Sequence, residues 1–362
     1  MKAKASLILR RVLPLGVILA GTVCFLILTR ELLPKRAVAT SEAITLSQIS
    51  ILNQHDGQLW YFAFSPDAKL LFCSNSTWKG DRQSDALVVW ELATGRKLAT
   101  INDPWGMALS PDGKTLAVGH DDISLRFWDT STWKQEQQIE HVEPSVGRPL
   151  RWLDDKTLLL GNQNCVTLWN LRTHNSGLTF PSYSTRFAVS LTARLLVTFA
   201  DSWGPIEVWE LGTGKKLWSF EAHGNKVVGG GPECVTFAPD SNTFATGGSN
   251  RSVYLWNVAR KEKVAEFPID RFHITSVAFS PDGKLVAAGD AQTPELSCRV
   301  YLWDRSTGQC LGVYKTRTGV RQLAFSPDGK MLAVGSCWDK GLVELWSVEE
   351  MLEHKSGDLP AK

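Results

Sequence analysis

Two residue pairs in this 362-residue chain are of the types that acid–base chemistry uses. His55 and Asp56 could form half of a catalytic triad, but no serine or cysteine stands out as the nucleophile. A His-Asp pair in a loop is more often a local hydrogen bond. Asp121 and Asp122 would make a carboxylate pair. Gly229-Gly230-Gly231 has the composition of a phosphate cradle, yet Pro232 follows and no helix does, so a loop is the better reading. No HExxH, Gly-x-Ser-x-Gly or P-loop motif is present, and none of the seven cysteines is spaced as a CxxC metal pair. The expectation is a protein that is not an enzyme, with no catalytic residues, metal or cofactor.

Recognition has better candidates. Trp78 lies in STWKGDRQSD with Lys79 and Arg82, and Trp338-Asp339 lies in SCWDKG. Trp60 and Trp105 each stand five residues before the serine of a turn flanked by apolar runs. Exposed aromatic clusters with an arginine are what interface hot spots are made of. Trp60, Trp78, Lys79, Arg82, Trp105, Arg321, Trp338 and Asp339 are therefore the candidate partner-binding set, if the fold gathers them.

The elements that could gather them repeat. SPDGK occurs at Ser110–Lys114, Ser280–Lys284 and Ser326–Lys330, each between apolar runs. Proline presets φ, aspartate bonds its own backbone and glycine accepts positive φ, so each copy predicts a hairpin turn. Looser copies stand at Ser65–Ala68 and Ala238–Ser241, and degraded ones at Leu153–Lys156 and Leu191–Arg194. A β-prone run ends in tryptophan about 20 residues after each turn, at Trp90, Trp128, Trp169, Trp209, Trp256, Trp303 and Trp346. The spacings are 38, 41, 40, 47, 47 and 43, which marks a repeat architecture of four strands per unit.

These residues resemble the WD40 family: a hydrophobic strand, an SPDG turn, a second strand, then a third ending in a Leu-Trp-Asp-like triplet. The resemblance covers roughly Ile44 to Val348. It implies an all-β fold, a seven-bladed propeller of four-stranded blades whose repeat tryptophans pack between neighbours. It also implies a platform for protein or peptide partners. Family members carry a buried network of His, Asp and Trp; here Asp122 fits the Asp position and Asn250 substitutes for it. His55, His141 and His223 lie in the loops where the histidine would be, and no unit shows the whole set cleanly. Blades held mainly by packing are the expectation, with blade 4 the least regular. The connections between second and third strands are longest in blades 6, 7 and 1, which would form one raised rim carrying Trp78 and Trp338. Trp209–Phe220, WELGTGKKLWSF, also resembles a blade of quinoprotein propellers, so a quinone-dependent dehydrogenase or assembly factor with eight blades is the alternative.

After Trp346 the chain is too charged for a good strand, whereas Ala43–Leu52 is β-like; it is assigned as the outer strand of the last blade. The propeller thus spans 43–348, followed by a tail over 349–362. Ahead of it, 1–11 is a basic segment, 12–29 holds 18 uncharged residues, and 30–42 is a linker. The uncharged run predicts an uncleaved membrane-spanning helix rather than a signal peptide, giving a single-pass protein with its N-terminus in the cytoplasm and its propeller outside. Residues 1–36 hold seven of the 39 Lys and Arg and one of the 37 acids, so the remainder carries 32 basic and 36 acidic residues, net −4. That balance argues against nucleic acid as partner. Cys298 and Cys337 would lie near each other on blades 6 and 7 and could pair in an oxidising compartment.

Overall fold

The computed structural model describes residues 49–52, 58–79, 82–142, 150–162, 164–182, 186–199, 204–223, 231–291, 298–336 and 341–354. Within them lie seven four-stranded antiparallel sheets. Six are built from consecutive strands, as the repeat predicts. The seventh takes three strands from the C-terminal end and its outer strand from Ile49–Leu52. That strand pairs with Val343–Ser347 in the register Ile49↔Trp346 through Leu52↔Val343, so the ring closes as the sequence predicts. Seven sheets, not eight, argue against the quinoprotein alternative; Trp218 there stacks on Phe220 at 4.0 Å and edges onto Trp256, a packing role.

Alternation decides the core. Side chains of successive strand residues leave on opposite faces, so both faces of each blade must be covered by a neighbour. In blade 2, Leu116 and Val118 pack towards blade 1 with Phe72, Leu87 and Met107, while Ala117 joins Phe127, Leu150 and Trp152 towards blade 3. Seven apolar clusters result, one per seam. Trp90, Trp128, Trp169, Trp209, Trp256, Trp303 and Trp346 each pack in the seam between their own blade and the preceding one. Removing such a ring forfeits about 3–5 kcal/mol. Blade 4 keeps its four strands, although its innermost one is only Ala188–Ser190.

The turns follow their chemistry. Ser110 Oγ donates to Asp112 Oδ1 at 2.7 Å and accepts from Thr115 N at 2.9 Å, while Asp112 Oδ1 accepts from Lys114 N. Ser65, Ser280 and Ser326 make the same set, and the serine hydrogen bond is the main reason Asp67, Asp112, Asp282 and Asp328 are held below the usual carboxylate range. Gly113, Gly283 and Gly329 take φ of +70 to +74°, whereas the looser copies force Ala68 and Ser241 to +57 and +58°.

Three expectations need correction. STWKGDRQSD is not a long connection: the second and third strands of blade 1, Leu70–Lys79 and Arg82–Glu91, stay paired to Lys79↔Arg82. The C-terminal residues are not simply a tail, since Val348–Glu353 forms a helix capped by Ser347, with Met351 buried beside Tyr314 and its carbonyl accepting from the Tyr314 hydroxyl. The single-pass membrane location is not upheld: no helix among the described residues is long and apolar enough to cross a membrane. The run over 12–29 on which that expectation rested lies outside the described residues, and membrane attachment is not carried forward. Cys298 is buried and Cys337 lies outside the described residues.

Left-handed backbone costs a non-glycine residue about 1–2 kcal/mol. Ala68→Gly is therefore expected to raise unfolding stability by roughly 0.5–1 kcal/mol, after the added chain entropy of glycine is set against the relief. Gly113→Ala should lower it, because its Cβ would also lie 3.2 Å from Pro66 Cδ. Urea midpoints that moved in the opposite directions would refute this account of the turns.

Candidate functional site

Of the residues that suggested catalysis, Asp121, Asp122 and Gly231 are described. Residues 53–57, with His55 and Asp56, lie outside the described residues, as do Gly229 and Gly230. Asp122 accepts from Ser124 N at 3.0 Å and pairs with Arg126 at 2.5 Å, so it organises a turn. Among the described residues no group of three His, Cys, Asp or Glu side chains could hold a metal ion.

His223 is the exception to the expectation that no unit has the full network. It is buried between blades 4 and 5, with Nδ1 2.5 Å from Asn250 Oδ1 and Nε2 2.7 Å from Thr246 Oγ1. Thr246 Oγ1 also accepts from Trp256 Nε1 at 2.8 Å, and Asn250 Nδ2 donates to Tyr254 Oη at 2.6 Å. A neutral ring with its proton on Nδ1 satisfies every partner. Burial lowers the His223 pKa to about 4. Both nitrogens are engaged, and the adjoining Thr246 hydroxyl is fully buried, out of reach of a substrate, so the role is structural.

Three of the residues singled out for recognition do come together. The innermost strands of six blades, with Arg186 and Phe187 just ahead of that of blade 4, line one cavity of about 540 Å³ at the channel mouth. Trp60, Trp105 and Arg321 share its wall. Trp105 is 44% exposed, and the Arg321 guanidinium stands 4.5 Å from the centroid of the Trp60 ring. Such a cation–π contact holds the ring in place. Across the mouth stand Phe187, Arg186 and Glu233; Arg186 donates to the Glu233 carbonyl and lies 3.9 Å from its carboxylate. The wall is thus aromatic and cationic over blades 7, 1 and 2, and mixed in charge over blades 4 and 5.

The other candidates cannot be joined to this wall. Trp78, Lys79 and Arg82 end the extended hairpin of blade 1, and their side chains, like the whole of Trp338 and Asp339, lie outside the described residues. Sequence reasoning missed Glu233, Thr275 and the blade 4 residues. A signal was present for two of them. Counting five back from the turn, which selects Trp60 and Trp105, also selects Glu233, Thr275 and Arg321, and all five line the cavity.

Comparison with known proteins agrees with the fold. The family model described as "WD domain, G-beta repeat" matches residues 95–129, 214–257, 263–304 and 308–347. A guanine nucleotide-binding protein subunit beta from Solanum tuberosum is 26% identical over 286 residues, covering 70% of each chain. A WD repeat-containing protein WDS homolog from Arabidopsis thaliana is 28% identical over 218 residues, 56% of this chain and 38% of the relative. A serine-threonine kinase receptor-associated protein from Gallus gallus is 23% identical, covering 72% of this chain and 71% of its own. Among solved structures, the WD40 repeats of RRP9 superpose with a TM-score of 0.68 at 20% identity, over 85% of this chain and 99% of that one.

His223 yields a test. A histidine whose folded pKa lies below its unfolded value of 6.5 contributes stability that is complete above that value and is lost as pH falls towards about 4. Between pH 7 and pH 5 the urea midpoint should fall further for the wild type than for His223→Gln, which takes up no proton. Asp290, raised by burial to about 6, titrates in both proteins and cancels in the difference. Equal pH slopes would show that His223 is not buried neutral.

Proposed function

We propose that this seven-bladed propeller, four segments of which match the WD-repeat family model, is an interaction scaffold that receives a partner polypeptide at its channel mouth. The observation carrying this reading is the aromatic and cationic wall: an exposed Trp105 beside a Trp60 ring stacked by Arg321, on a cavity of about 540 Å³. Two relatives covered over about 70% of their own length are named as a subunit of a larger protein and as a receptor-associated protein, which supports the scaffold role without naming the partner. A cavity of this size accepts one or two side chains rather than a folded domain, so a loop or tail of the partner would enter it. Trp60, Trp105 and Arg321 are the anchors proposed for it. Trp78, Lys79, Arg82, Trp338 and Asp339 belong to the same proposed set as further contacts. A ring anchored by neighbours loses little rotamer entropy on binding, which makes Trp60 the stronger anchor of the two.

The experiment is site-directed photocrosslinking in cells. A benzophenone amino acid replacing Trp105 should give a discrete crosslinked product, and Arg321→Ala in the same protein should remove it. The same label replacing Leu178, exposed on the outer strand of blade 3, should not give that product. Identical products from both positions, or a product at Trp105 indifferent to Arg321, would place the partner elsewhere.

A further inference from the structure

A second cavity, of about 440 Å³, opens at the seam of blades 5 and 6 and is lined by Ser249, Arg251, Asp270, Arg271, Phe272 and His273. Two connections form it. Ser249 and Arg251 lie in the turn between the second and third strands of blade 5, and Asp270–Phe272 link that blade's outer strand to blade 6. Both are fixed. Ile269 N donates to Arg251 O at 2.8 Å, tying the connections together, and Arg251 holds a φ of +60°. The Arg271 guanidinium lies 4.9 Å from the Phe272 ring centroid, which restrains it.

Charge is unbalanced here. Asp270, the acid of the wall, is already engaged: Arg299 Nη1 stands 3.6 Å from its Oδ2, and the Tyr301 hydroxyl lies 3.3 Å from its Oδ1 while donating more closely, at 3.1 Å, to the buried Asp290. Arg251 and Arg271 make no ion pair within 4.0 Å among the described residues, although Arg271 acts at longer range on the buried Asp290. Two arginines therefore line one open cleft, with Ser249 and His273 beside them. A single carboxylate would leave one guanidinium uncompensated. A phosphate group brings close to two negative charges and three acceptor oxygens, and arginine forks match it bidentately.

The cleft does not stand alone. His273 Nε2 lies 3.9 Å from Glu233 Oε2, and Glu233 lines the channel mouth. Thr275, two residues beyond His273 on the same strand, lines the mouth as well. Two strand residues span about 7 Å, so a peptide crossing the cleft reaches the mouth within a few residues.

We propose that this cleft binds a phosphorylated side chain of a partner peptide, whose neighbouring residues enter the channel mouth; the second clause rests on the scaffold reading above. A membrane lipid or a nucleic acid fits less well. Residues 37–362 carry 32 basic and 36 acidic residues, so the propeller at large repels a polyanion and the positive charge is confined to one cleft.

The test uses the full chain on peptide arrays with a fixed central phosphoserine, glutamate or serine between degenerate positions. The phosphoserine set should be retained about tenfold better than the other two, from charge-assisted bonds to two arginines. Arg251→Ala with Arg271→Ala should bring it down to the serine level, whereas Arg172→Ala, at an exposed turn of blade 3, should change nothing. Trp105→Ala separates the two readings. If phosphate dependence survives in it while flanking preference is unchanged, the cleft stands and the channel-mouth reading fails. Equal retention of glutamate and phosphoserine would overturn the phosphate assignment. So would loss of the phosphoserine signal in none of the arginine variants, or arginine-dependent sedimentation with phosphoinositide vesicles without any peptide retention.

Discussion

The ring depends on one short ladder. Six blades are made from consecutive strands, but the seventh exists only because Ile49–Leu52 pairs with Val343–Ser347. Four residues join the two ends of the propeller. Without them the third strand of blade 7 would be an open edge, and an unpaired edge invites association with other chains. Loop closure over nearly the whole chain is entropically expensive, though the cost grows only slowly with length. What offsets it is the seam between blades 7 and 1, where Leu52 joins Leu59, Phe62, Val343 and Leu345. The helix Val348–Glu353 then packs at the seam of blades 6 and 7, burying Met351 against Tyr314 and Trp346. Closure thus combines backbone pairing with apolar burial at both ends.

The seams share their tryptophans but not their polar chemistry. The deciding position is in the second strand, two residues after the one paired with the tryptophan. It is Thr198 in blade 4 and Thr246 in blade 5, and each hydroxyl accepts from the indole nitrogen, of Trp209 at 2.9 Å and of Trp256 at 2.8 Å. In blades 1, 2 and 3 it is Cys73, Val118 and Leu160, and the indole nitrogens of Trp90, Trp128 and Trp169 are buried with no hydrogen-bond partner among the described residues. Blade 7 uses another route: Glu344, buried and shifted upward by desolvation, accepts from Trp346 Nε1 at 3.1 Å. A buried donor without a partner costs about 1–3 kcal/mol. Packing in those three seams must carry that cost, while blade 5 adds the full His223 relay to its packing.

Much of the fold was legible because its signals are local and repeat in phase. SPDG turns, terminal tryptophans and the β-like run before Trp60 are each short-range features, and their period is what defines the blades. The blade 5 network was less legible. Asn250 and His223 were visible as types, but only the folded distances show that the chain from His through Thr to Trp is continuous. The blade 1 hairpin was misread because STWKGDRQSD is polar, and polarity marks exposure rather than the end of a strand. The candidate site was half legible. The five-residue offset before the turn found Trp60 and Trp105, and it also contained Glu233 and Thr275. The cleft between blades 5 and 6 was not legible, because Arg251 and Arg271 come from separate connections that only the ring brings together.

Every functional reading of the channel mouth presumes that the ring is shut, since its wall takes residues from six blades and from just ahead of blade 4. Native-state hydrogen exchange of the closing ladder tests that most directly. Amides of Ile49–Leu52 and Val343–Ser347 that are bonded in the register of Ile49↔Trp346 should exchange as slowly as those of the blade 6 strands, opening only with global unfolding. Rapid exchange in Ile49–Leu52, with the blade 6 amides still protected, would contradict the closed seven-bladed ring.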